Sequence, residues 1–234
     1  GKRGHPRLKP HGKECEWFYG QPATVNNVET ISSVPNIVEN GAEGYTKYGT
    51  EKSPGTMLFA ISGPVKNPGV YEMEYGNKMI DFLNVLGGGM LEGKKLKAII
   101  PGGTSCPILT AQEVEKAVLD YESMWDIGST LGTGGMIVID QDASMVDVAK
   151  NIIEFYHHES CGQCTPCREG CGWIDKILEK VLKKEAQKKD LQTILDVCDT
   201  MNGKTVCVFA PAVKDIIASI VQKFPEEFET YLQK

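Results

Sequence analysis

The chain has 234 residues, enough for one large domain or two modest ones, and its 41% apolar and 24% charged content is that of an ordinary globular protein. A net charge of −6 argues against an electrostatic nucleic-acid footprint, no apolar run approaches the roughly 18–20 residues that span a bilayer, and no signal peptide is visible. Eight cysteines, three of them in one short run, suit metal ligation in a reducing cytoplasm better than a disulfide scaffold.

The chain opens on Gly1 rather than Met, in a basic segment holding Pro6 and Pro10, and reads as a cut fragment with something missing upstream. Residues 1–24 read as an extended connector. Trp17, Phe18 and Tyr19 are expected to pin it to a core; a partner or cofactor surface is the alternative. Val28, Ile31, Val34 and Val38 recur at spacings of three and four, so they predict one apolar helix face. Asn26 and Asn27 precede that face. Pattern alone favours a helix cap; the other use of two amides and a threonine hydroxyl is to bond a polar ring edge or a phosphate. Pro35 predicts a kink or division of the helix, and Gly41 and Gly44 its close.

Met57 to Ser62 alternates weakly and predicts a strand, the Pro68-Gly69 turn follows, and Val70 to Met73 returns. Ile80 to Leu86 predicts a short helix stopped by Gly87-Gly88-Gly89; Leu96 to Ile100 and Met136 to Asp140 are apolar strands. Together they predict a small β-grasp-like α+β unit over residues 55–141. Pro101 to Ser105 and Gly132 to Gly135 are glycine-rich. Neither has the P-loop spacing with its lysine or the strand-to-helix G-x-G-x-x-G, so both read as turns.

From Met145 the pattern turns helical. Met145, Ala149, Ile152, Ile153 and Tyr156 form one stripe, and Trp173, Ile174, Ile177, Leu178, Val181 and Leu182 a second. A third helix runs through Leu191, Ile194, Leu195, Cys198 and Met201, capped by Asp190 and stopped at Asn202-Gly203. Pro211 opens a fourth, and Pro225 ends it. Four amphipathic helices with short connections predict a bundle.

The densest chemistry lies in Glu159 to Gly170, where Cys161, Cys164 and Cys167 stand at a strict three-residue spacing. C-x2-C-x2-C is a ferredoxin-type opening for a 4Fe–4S cluster. A structural zinc site usually shows two separated C-x2-C pairs, and a second pair is missing. Gly162, Pro166 and Gly170 are expected to let the backbone wrap. Cys171 completes a bacterial ferredoxin spacing, but Gly172 stands where its proline would be. Spacing alone leaves Cys171, Cys198 or Cys207 as the fourth ligand. In an up-down bundle the loop carrying Cys207 lies at the same end as the three-cysteine run. Cys198 falls on an apolar stripe, and Cys171, one turn into its helix, is expected to point away. The predicted set is therefore Cys161, Cys164, Cys167 and Cys207.

The run from Glu159 to Gly170, followed by Gly203-Lys204-Thr205-Val206-Cys207, resembles the flavoprotein F subunits of NADH:quinone oxidoreductase, respiratory complex I. Arg3 to Pro10, Val25-Asn26-Asn27-Val28-Glu29-Thr30 and Pro101 to Ser105 extend the resemblance over nearly the whole chain. It implies an α+β fold: a tail of the FMN-binding domain with a connector helix (1–54), a β-grasp, SLBB-like domain (55–141) and a helical 4Fe–4S-binding domain (142–234). It implies that Asn26, Asn27 and Thr30 help hold FMN, displacing the cap preference, with NADH the substrate of the full-length protein. Electrons would pass from NADH-reduced FMN through the cluster to further clusters and quinone. The implied partners are a 2Fe–2S thioredoxin-like subunit and a large iron–sulfur subunit, on the cytoplasmic side of the inner membrane without a span of its own. The family's glycine-rich FMN and NADH half is absent, so the chain alone is expected to lack NADH dehydrogenase activity. Lys9-Pro10-His11-Gly12-Lys13 departs from the family's Lys-Pro-Pro-Phe. Gly162 and Gln163 amides are candidate donors to the cluster, and Arg168 either offsets its charge or pairs with Glu159 or Glu169. The alternatives are the diaphorase component of an NAD-linked hydrogenase or formate dehydrogenase, and a zinc-stabilised binding module.

Overall fold

The computed structural model describes residues 4–8 and 17–233. The Lys9 to Lys13 segment, Cys15 and the Trp17 side chain lie outside the described part. Trp17–Phe18 (β1) and Gln21–Pro22 (β2) form a small antiparallel hairpin that turns through Tyr19 and Gly20, both at positive φ. Phe18 and Tyr19 stack edge to face and are 68% and 90% exposed, which corrects the expectation that they pin the connector. A two-residue ladder has no face with which to bury them.

The first long helix, α1, spans Val28–Thr46. Asn27 caps it, its Oδ1 accepting the amides of Glu29 (2.9 Å) and Thr30 (3.2 Å). The helix runs through Pro35 and breaks instead at Gly41, where φ is 72°. Proline leaves one carbonyl, that of Ile31, without its amide; on this exposed helix water can take it, and the chain yields where no Cβ resists a left-handed φ. The predicted apolar face exists but is uncovered, with Val28 and Val38 each 79% exposed. Glu29 ties α1 to the sheet, its Oε1 accepting the Leu58 amide at 2.9 Å.

Next come Thr56–Ser62 (β3), Gly69–Glu74 (β4), Met79–Asp81 (α2) with a π-helical turn over Phe82–Leu86, and Leu96–Ile100 (β5). Leu109–Thr110 (β6), Ala111–Val114 (α3), Tyr121–Asp126 (α4) and Gly135–Asp140 (β7) complete the unit. The sheet order is β4-β3-β7-β5-β6, with β3 and β7 parallel and the other neighbours antiparallel. Its central strand is thus the last to be made. Side-chain alternation gives the sheet two apolar faces. Met136 and Val138 join Phe59, Ile61, Met79 and Phe82 in one core; Ile137 and Ile139 face the helices with Ala98 and Ile100.

The two glycine-rich stretches are turns packed back to back. Thr133 donates its amide to the Gly102 carbonyl (3.1 Å), and Gly103 donates to Gly135 (2.8 Å). A Cβ on Gly102 would lie 1.8 Å from the Leu131 oxygen, which is why that position has no side chain. β6, α3 and α4 are absent from the sequence-based expectation. Each is short, but α3 opens on a reciprocal Thr110–Glu113 capping box and α4 on Asp120 accepting the Ser123 amide, both recognisable signals.

Five helices follow: Met145–Glu159 (α5), Thr165–Leu182 (α6), Lys188–Met201 (α7), Phe209–Lys223 (α8) and Pro225–Glu229 (α9). α5 packs on α6, α6 on α7, α7 on α8, and α8 returns to α5. The α5 stripe of Met145, Ala149, Ile152, Ile153 and Tyr156 is buried throughout. α7 begins earlier than expected: Gln187 is its cap and Asp190, three residues in, accepts the Gln187 amide at 2.6 Å. Lys223 ties α8 to the sheet unit, reaching the Ile108 carbonyl and both Glu113 oxygens at 2.8 Å. Beside it the Ile108 amide donates to Ser219 Oγ (3.0 Å).

Candidate metal centre

The three-cysteine run is the turn between α5 and α6. Ser160 ends α5, donating its amide to the Tyr156 carbonyl. Gly162 then turns left-handed at φ 76°, and Cys164 stands at the cap position of α6. Pro166 lies in the first turn of α6, where its missing amide has no intrahelical partner to lose. Cys167 follows in the same turn, so its sulfur sits at the positive end of an 18-residue helix. Gly170 does not wrap the backbone. It lies inside α6, where a Cβ would come within 2.4 Å of Met201 Sδ on α7; Gly172 likewise sits against His157 of α5. The two glycines let α6 approach both neighbours.

The loop 202–208 carries Cys207 to the same place. The Val206 amide donates to Cys164 Sγ at 3.4 Å, across 42 residues of sequence. Thr205 Oγ1 holds the loop from inside by donating to the Cys207 carbonyl (3.0 Å). Cys161 and Cys207 are exposed, Cys164 is half-buried and Cys167 is buried. Among the described residues no group of three or more His, Cys, Asp or Glu closes on a single metal ion. Cysteine thiolates are the donors of a multi-iron centre, in which each thiolate binds its own iron.

Two expectations are corrected here. Cys171 does not point away: four residues after Cys167, it falls on the same face of α6 and is fully buried. Cys171 beside it holds the Cys167 thiol below its ordinary range, against burial and with help from the Ser160 hydroxyl; Cys171 is itself pushed up. Gly162 donates its amide to Ser160 Oγ (3.4 Å) rather than toward a sulfur. Cys198 is the core cysteine that its stripe predicts, pushed up to about 12 by burial.

Arg168 is occupied. Its Nε pairs with Glu169 at 2.9 Å and its Nη1 donates to the Gly162 carbonyl at 2.6 Å, clamping the cysteine turn onto the helix that follows. Its clamp on Gly162 is legible only in three dimensions. The other expected site residues, Asn26, Asn27 and Thr30, lie exposed at the start of α1. Asn27 spends Oδ1 on the cap, which leaves its Nδ2 donor.

Comparison with known proteins accounts for both halves of this arrangement. Residues 57–143 match the SLBB domain, and residues 147–231, which include Cys161, Cys164, Cys167 and Cys207, match the NADH-ubiquinone oxidoreductase-F iron-sulfur binding region. The whole chain is 39% identical to the second F subunit of the NADH-quinone oxidoreductase of Rhizobium meliloti, covering 55% of that protein. It is 39% identical to the F subunits of Rickettsia bellii, covering 56%, and of Mycobacterium tuberculosis, covering 52%. The chain therefore spans about half the length of the curated relatives it matches. A solved NAD+-reducing NiFe-hydrogenase superposes with a TM-score of 0.84 at 32% identity, over 97% of this chain and 39% of that one. Among the described residues no helix is long and apolar enough to cross a membrane. The chain thus carries an SLBB domain followed by an NADH-ubiquinone oxidoreductase-F iron-sulfur binding region, and along its full length it is similar to about half the length of the NADH-quinone oxidoreductase F subunits.

Proposed function

We propose that the chain is an electron-transfer part of an NADH-oxidising, quinone-reducing complex. In this reading Cys161, Cys164, Cys167 and Cys207 hold a 4Fe–4S cluster between NADH-reduced FMN and downstream iron–sulfur centres. The observation that carries it is the Val206 amide on Cys164 Sγ, which brings the Cys207 loop onto the three-cysteine turn. The donor set fits the group: four soft thiols, one at a helix N-terminus, with an N–H already aimed at a sulfur. When bound, the cluster supplies a one-electron redox centre. The protein's own work is positional. Arg168 clamps the turn, Cys167 is buried among apolar neighbours, and the Val206 amide offsets sulfur charge.

Asn26, Asn27 and Thr30 are assigned to one side of an FMN site, with Asn27 Nδ2 the available donor. The chain divides at 1–54, 55–141 and 142–234. Its partners are the 2Fe–2S thioredoxin-like and large iron–sulfur subunits, at the cytoplasmic face of the inner membrane. A second reading, the diaphorase part of an NAD-linked hydrogenase, draws on the superposition with the NAD+-reducing hydrogenase.

The test is anaerobic purification with iron, sulfide and zinc assays. About four irons per chain, one for each ligating thiolate, support the reading, with Cys207→Ala losing the iron and Cys171→Ala keeping it. One zinc per chain and no iron would overturn it. The loaded chain is expected not to reduce ferricyanide with NADH.

A further inference from the structure

The Ser160 side chain forms a directed relay that the cluster reading leaves unused. Ser160 is fixed by its place at the end of α5, where its amide bonds the Tyr156 carbonyl at 3.0 Å. Its Oγ lies 3.3 Å from Cys167 Sγ and accepts the Gly162 amide at 3.4 Å. Those two contacts settle the polarity of the hydroxyl. One lone pair is taken by Gly162 N–H, and a ligating Cys167 carries no proton to donate. The hydroxyl hydrogen therefore goes to the sulfur. Cys167 is also the buried cysteine of the run, where low dielectric makes a single hydrogen bond count for more than at the exposed Cys161 or Cys207.

We propose that Ser160 is a positioning residue whose hydroxyl, oriented by the Gly162 amide, donates to the Cys167 thiolate and raises the reduction potential of the cluster. The proposal rests on the cluster reading above. The added electron on reduction spreads onto the ligating sulfurs. A donor to one of them stabilises the reduced state over the oxidised one, so the midpoint moves up. Ser160 acts through the Cys167 sulfur rather than as a ligand itself, so the effect expected is on potential rather than on assembly.

The test is an EPR-monitored redox titration of the anaerobically reconstituted chain and of Ser160→Ala, Ser160→Thr and Ser160→Val. Threonine and valine match in volume and differ in the hydroxyl, which guards against a loss of packing. The expected result is full iron in all four proteins, a midpoint near the parent's for Thr, and a common shift to more negative potential for Ala and Val. Loaded variants whose midpoints all coincide would overturn the proposal. So would a Thr variant that tracks Val, or a hydroxyl needed merely to load iron. A parent that holds zinc in place of iron overturns the cluster reading itself, and this inference with it; a loaded parent with unmoved variants overturns only this one.

Discussion

Two helices of this chain carry nearly the same sequence signal and meet opposite fates. α1 offers Val28, Ile31, Val34 and Val38 at helical spacing; α5 offers Met145, Ala149, Ile152, Ile153 and Tyr156. Every member of the α5 stripe is buried, whereas α1 buries none of its residues. Periodicity therefore reports that a face is built for burial, and says nothing of what covers it. α5 finds its cover within the chain, between the sheet, α6 and α8. The stability of the two regions should differ accordingly.

The comparison breaks most visibly at Ile153, which is fully buried. Ile153→Ala should cost about 2–5 kcal/mol in urea denaturation, the range for emptying a packed aliphatic site; a loss near zero would mean that the α5 core is not the stabilising one. Next comes the tie between sheet and helices. Lys223→Met should cost about 1–2 kcal/mol, discounting a charge-assisted bond for the partial exposure of Glu113. The same pair has a pH signature. Burial would raise the Glu113 pKa, but Lys223 and the Thr110 amide outweigh it and hold the carboxyl below its ordinary 4.5. A depressed carboxylate contributes its full stability above that ordinary value and loses it as pH falls through the lower folded one. Lys223→Met should therefore flatten the acid limb of the stability curve, and an unchanged limb would remove Glu113 from its causes.

Smaller effects are expected on α1. Asn27→Ala deletes the cap and should weaken α1 by about 1 kcal/mol. The loss should appear in amide exchange of Glu29 and Thr30 while the global unfolding midpoint stays in place. Val34→Ala should change stability by less than about 0.5 kcal/mol, since its side chain is already 44% exposed. A cost comparable to that of Ile153→Ala would show α1 covered in solution, and the contrast between the helices would fall.

Much of this is legible in the residues because the signals are local. The strands from Met57 and Leu96 and the three-residue cysteine spacing each follow from a period or a turn residue. What escapes a linear reading depends on neighbours. Pro35 has the look of the break in α1, but a helix that buries none of its residues tolerates it, and the chain gives way at Gly41. Cys171 has the look of a side chain averted from the cysteine turn, yet spacing by four residues puts it on the same face of α6 as Cys167. Gly170 suggests a bend, and is a contact with Met201 of α7. Ser160 shows nothing in sequence, because its meaning depends on where Gly162 and Cys167 lie.

The place of β7 has a consequence for how the protein is born. It is the middle strand of the sheet and the last in the chain, hydrogen-bonded to β3 on one side and β5 on the other. As the polypeptide leaves the ribosome, the β3–β4 hairpin and the β5–β6 pair can form early, but they join into one sheet only when residues 135–140 emerge. The back of that same strand, Ile137 and Ile139, is part of the floor on which α5 and α8 settle. Translation thus delivers in six residues both the keystone of the first unit and the foundation of the second, and the cysteine turn emerges onto a scaffold that has just closed.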